Sequence, residues 1–182
     1  MRGKWAQGII PRGFTWIVKD RIAVSERPGG CGQSHRRVRR QEEIIWIREA
    51  GFDTVLSLLS GDNNLHAYDE LGQPWVHLPF AGPDDGVDRL LAVCRAIDEH
   101  SGGGRRLLLH REELNDVVCG LAGAWLIHAG LVDSGPRAIS FAEQLTSRPL
   151  GRPGRAIVGM MAPRESADVE DNGATAHGTQ DS

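Results

Sequence analysis

Residues 107–120, Leu-Leu-Leu-His-Arg-Glu-Glu-Leu-Asn-Asp-Val-Val-Cys-Gly, constrain what this chain can fold into more than any other stretch. The leucine run reads as a strand buried on both faces, as in parallel sheets covered by helices. A short polar loop follows, and an apolar helix is expected from about Asp116 to Ala129, stopped by Gly130. Strand, loop and helix in that order put the loop beyond the carboxyl end of a strand, where α/β sheets hold their ligands.

The rest of the chain repeats the alternation. Residues 14–25 form two β-prone runs around Lys19-Asp20, the pattern of a hairpin or of two edge strands, broken by Arg27-Pro28-Gly29-Gly30. A helix is expected over 41–50, with Glu42 and Glu43 in its first turn and Gly51 at its end, then a buried strand over 52–59. A polar loop over 60–73 leads to a strand over 75–80, a turn over 81–86 and a helix over 87–100. The glycines 102–104 connect to a strand over 106–110, and a last helix spans 136–146 with Pro136 near its start. From Arg152 onward order is doubtful, and residues 162–182 are too polar to offset the entropy of ordering them.

With 182 residues, 40% of them hydrophobic, the chain can bury one substantial core. Its formal net charge of -3 gives no general attraction to nucleic acid or acidic membranes. The longest apolar stretch, residues 117–132, is interrupted by His128 and falls short of the roughly 20 residues that span a bilayer. The cysteines, Cys31, Cys94 and Cys119, are odd in number and widely spaced, which suits reduced thiols in a cytoplasmic protein rather than a disulfide framework.

A phosphate rests at a helix N-terminus when backbone N–H groups face it and no fixed negative charge competes. Glu112, Glu113 and Asp116 crowd this turn, and Arg111 neutralises only one of them. Even a screened like-charge contact costs roughly 1 kcal/mol. In all but its reactive residues the segment resembles the phosphate-binding loop of the cysteine-dependent dual-specificity and tyrosine phosphatases. That signature is His-Cys, five further residues and Arg, after an apolar strand and at the start of a helix. Laid on His110, it puts Arg111 at the nucleophile's place, Leu114 at the loop glycine's and Val117 at the phosphate-gripping arginine's. A guanidinium stays protonated and cannot attack phosphorus.

The resemblance implies an α/β fold with a central, mostly parallel sheet flanked by helices on both faces. It covers residues 14–155, leaving an N-terminal arm (1–13) and a flexible tail (156–182). It implies a pseudophosphatase acting as a protein-binding, regulatory or assembly subunit, with no catalytic residue and no cofactor. His110 would then be a scaffold residue, its imidazole bonding the loop backbone, and Asn115 would be part of the degenerate loop. Asp84 or Asp85 falls where the family keeps its general acid, but a turn acid or helix cap accounts for either.

The other chemistries are weaker. A carboxylate-rich hydrolytic cleft would use Glu112, Glu113, Asp84 and Asp85, with His110 as a further metal ligand, yet no tight His or Cys spacing supports a metal site. Cys119 does not start a shifted signature, because Trp125 stands where Arg is needed. Arg36, Arg37, Arg39 and Arg40 read as a solvated loop entering the helix at Gln41, or as a partner-binding patch; without interleaved aromatics they argue against nucleic acid. Trp5, in the expected arm, is a further candidate partner anchor.

Overall fold

The computed structural model describes residues 8–30 and 37–163. Trp5, Cys31 and Arg36 lie outside the described residues, as do positions 164–182 of the expected tail.

The strands β1 (Thr15–Val18) and β2 (Ile22–Glu26) form the expected hairpin, turning at Asp20 with a positive φ of 60°. Then come α1 (Arg37–Glu49), β3 (Thr54–Ser57), α2 (His66–Glu70), β4 (Trp75–His77) and a 3-10 turn at Pro83–Asp85. The chain continues through α3 (Gly86–Ser101), β5 (Leu107–Arg111), α4 (Asp116–His128), α5 (Gly135–Thr146) and α6 (Arg152–Met161). The sheet order is β1-β2-β5-β3-β4. Only the β1–β2 pair is antiparallel; β5 sits in the middle, parallel to both neighbours.

Two cores cover the two faces. On one, Ala23, Val55 and Leu108 pack against Ile44 and Ile47 of α1 and Tyr68 of α2. On the other, Val24, Leu56, Leu107 and Leu109 pack against α3, α4, α5 and α6. Successive residues of β5 therefore point into different cores, as a strand's alternation requires. The expected α/β architecture is the one found.

Three local expectations are corrected. The first concerns α1, which includes Arg37, Arg39 and Arg40 instead of starting at Gln41. Arginine is a good helix former, and Arg39 reaches Glu43 one turn on, at 2.7 Å. The segment read as a polar loop contains α2, because Leu65, Ala67 and Tyr68 are buried although five helical residues are too few to show a period.

The third is α6, which is ordered where order was doubtful and extends the folded part to Met161, past the expected tail boundary. Its Ile157 and Val158 are fully buried. Glycines hid this helix in the sequence yet make its docking possible: a Cβ on Gly120 of α4 would lie 2.5 Å from the Gly154 Cα. Among the described residues no helix is long and apolar enough to cross a membrane.

Candidate functional site

At the carboxyl end of β5 the chain passes from His110 and Arg111 through residues 112–115 into α4. Asn115 is the N-cap of α4, with extended backbone, and its side-chain oxygen accepts hydrogen bonds from the Val117 N–H (3.1 Å) and the Val118 N–H (3.4 Å). Those are two of the donors that an unoccupied helix N-terminus offers to an anion. The loop folds further onto itself as the Asn115 N–H donates to the Glu113 carbonyl at 2.9 Å.

The acids do not share one pocket, which corrects the expectation that Glu112, Glu113 and Asp116 crowd an anion together. Asp116 faces α6, accepting from the Gly151 N–H at 2.6 Å and the Gly154 N–H at 2.5 Å, so its charge caps that helix. Glu112 accepts from Arg27 Nη1 with both oxygens at 2.9 Å. Arg27 is 9% exposed, and its other amino group donates to the Asn63 carbonyl at 3.1 Å. Glu113 is exposed.

Arg111 is half-buried, and its Nε meets no partner. Leu114 packs on the larger core, and its carbonyl accepts from Arg148. Val117 is buried in that core, facing the turn before α3, where a Cβ on Gly82 would lie 3.5 Å from Val117 Cγ2. In that turn Asp84 and Asp85 are both exposed, and Asp85 accepts the Ala81 N–H at 2.6 Å, the work of a turn acid. Neither caps α3 through its side chain.

His110 sits deeper than the loop that follows it. Its ring is buried, takes a backbone hydrogen bond at Arg111, and lies 5.9 Å from the Tyr68 ring beside a cavity on the α1–α2 side. Burial, then the nearby Arg27 charge, drives its pKa down to about 3, so the ring is neutral at physiological pH. Ser25 and Ser57 flank it in register on β2 and β3, and both are fully buried. Little in the local pattern points to this polar pocket; the one usable signal is the chain's single tyrosine amid polar residues.

The free thiols Cys94 and Cys119 sit inside α3 and α4. Burial raises both, Cys94 to about 12 with the help of Asp98, so neither is a thiolate at neutral pH. Among the described residues no three His, Cys, Asp or Glu side chains gather to hold a metal ion.

Solved structures with the same architecture include a kinase associated phosphatase carrying a serine in place of its catalytic-site cysteine, with a TM-score of 0.65, 17% identity, and coverage of 80% of this chain and 90% of that one. Tk-PTP in its active form matches with a TM-score of 0.65 and 19% identity over 84% of this chain and 98% of its own. The fold is that of the phosphatases. Human DUSP28 shares this phosphatase fold at a TM-score of 0.58 and 12% identity, covering 85% and 96% of the two chains. No family model and no curated protein matches the sequence.

Proposed function

We propose that this chain is a catalytically inactive phosphatase-like domain that works by binding another protein, as a regulatory or assembly subunit. The observation that carries the reading is the occupied N-terminus of α4: Asn115 takes the amides of Val117 and Val118, in a loop with Arg111 at the end of its strand and no thiol. The place of a phosphate-gripping arginine is filled by Val117, buried against apolar neighbours. Phosphoryl transfer to a protein nucleophile requires an activated group aimed at phosphorus, and a guanidinium is not one.

The surface left at this end is of mixed charge, with Arg111, Glu112 and Glu113 side by side, which suits a protein surface carrying complementary charges. Buried free thiols suit a reducing, cytoplasmic setting.

Hydrolysis of a chromogenic aryl phosphate by the pure chain tests the first half of the reading. The expected result is no turnover above the blank, and turnover that survives repurification overturns it. For the second half, a partner retained on immobilised chain at low salt is expected to be released by Arg111→Glu. Retention that ignores this substitution would move the contact away from the loop.

A further inference from the structure

We propose that the groove at the start of α1, between Arg37, Arg40 and Asn64, is a binding site for a phosphate-class oxyanion. It lies on the α1–α2 side of the sheet, apart from the β5–α4 loop, and does not depend on that loop being inactive.

The local charges do not cancel. Arg39 is neutralised by Glu43 and Arg27 by Glu112, both at close range. Arg37 and Arg40 line a groove of about 390 Å³ whose one carboxylate, Glu70, stands 3.8 Å from the imidazole of His66. The side chains of Arg37 and Arg40, three residues apart, share a helix face. They stand in the first turn of a 13-residue helix that has no acid there, so the helix dipole adds to their positive field.

A second observation is independent of charge. Beneath Arg40 and Asn64 lies an inner cavity of about 10 Å³, at the lower limit for one water molecule, lined also by Tyr68 and His110. Among the described residues the Tyr68 hydroxyl and Arg40 Nε are buried without a partner, and the His110 ring is buried beside them. Tyr68 is 2% exposed and His110 1%. Buried polar groups left unpaired are costly, and a water held by the Tyr68 hydroxyl links it to an anion in the groove beside Arg40. Arg40 has one side-chain bond, from Nη1 to Asn64 Oδ1 at 2.9 Å, which holds the amide beside the guanidinium.

Burial, with like charge from Arg27 and Arg37, lowers the Arg40 pKa against the opposing charge of Glu70, so an anion here relieves repulsion that Glu70 only partly offsets. Asp62 and Asp69 line a neighbouring cavity near Trp75, which leaves the α1 end as the place for the oxyanion.

Calorimetric titration of inorganic phosphate into the full chain at low salt provides the test, with Arg37→Gln, Arg40→Gln and Arg111→Gln measured alongside. Saturable one-to-one binding is expected, weakened at least about tenfold by Arg37→Gln or Arg40→Gln, as for loss of a charge-assisted hydrogen bond, and changed less than about twofold by Arg111→Gln. Absence of saturation up to about 10 mM phosphate overturns the proposal. So does undiminished binding in the two groove variants, or loss in Arg111→Gln alone, which would put the anion in the β5–α4 loop. Circular dichroism checks that each variant is folded; should Arg40→Gln unfold, the exposed Arg37 decides. Phosphate-dependent NMR shifts of the Asn64 side-chain amide in the unmodified chain are a second reading, and their absence at saturation counts against the site.

Discussion

His110 and Arg111 are consecutive residues of β5, yet the polar groups on their two sides are treated in opposite ways. Around the loop that follows Arg111, polar groups other than the Arg111 Nε bond one another: Asn115 holds the α4 amides, Asp116 holds those of α6, and Glu112 holds Arg27. On the His110 side, Tyr68 Oη and Arg40 Nε are buried with no partner among the described residues. A helix N-terminus satisfied by its own cap has little left to offer an anion, whereas unpaired buried polar groups beside an excess of positive charge have much. Where the strand ends in a phosphatase fold therefore says less about ligand binding than which polar groups remain unspent.

The sharpest way to break this contrast is to force a charge into the loop side. Val117 is 8% exposed and packed in the larger core, so Val117→Arg buries an unpaired guanidinium and is expected to cost about 3–5 kcal/mol in urea unfolding. A variant as stable as the parent would mean that the loop side still has room for an anion-gripping arginine. The same measurement has to accompany any attempt to restore a phosphatase signature by Arg111→Cys, Leu114→Gly and Val117→Arg, since loss of fold would mimic loss of activity.

Asp116→Ala comes next. It leaves the Gly151 and Gly154 N–H groups without their acceptor at the start of α6, an expected loss of about 2–3 kcal/mol. If stability is unchanged and phosphate binding appears instead, Asp116 acts as a repelling charge in the loop and not as a cap.

How the acids divide was the part that sequence could not show. Strand-helix order, the hairpin at Lys19-Asp20 and the two-sided burial of β5 follow from local pattern, because leucine runs and glycine stops act within a few residues. The direction of Asp116 is set by α6, thirty-odd residues on, a helix that Gly154 and Gly159 conceal from any periodicity. Arg27 was legible as a turn residue but not as the partner of Glu112, 85 positions away. Likewise the pocket behind His110 needs α1, α2 and β5 together before its unpaired groups become visible.

A pH titration of stability sharpens the His110 side. Its folded pKa, about 3, lies below the ordinary 6.5 of an unfolded histidine, so the unfolded chain binds the extra proton in that window. Above pH 6.5 both states hold a neutral ring and nothing is lost; as pH falls below it, folding loses about 1.4 kcal/mol per unit. Between pH 6.5 and about 5, before most carboxylates titrate, the unmodified chain should lose about 2 kcal/mol that His110→Gln does not. Equal slopes in the two proteins would mean that the ring is protonated and bonded in the fold, ending the contrast from this side.

The smallest effect is the most direct probe of the loop. Asn115→Ala removes an N-cap whose oxygen serves two amides, an expected loss of about 1 kcal/mol, small enough to leave the protein folded for binding measurements. It also frees the Val117 and Val118 N–H groups toward solvent. If their capture by Asn115 is what closes this end to anions, a second, weaker phosphate site should emerge in Asn115→Ala, insensitive to Arg40→Gln. If none emerges, the position of Arg111 and the burial of Val117 exclude the anion by themselves, and the cap is a matter of stability alone.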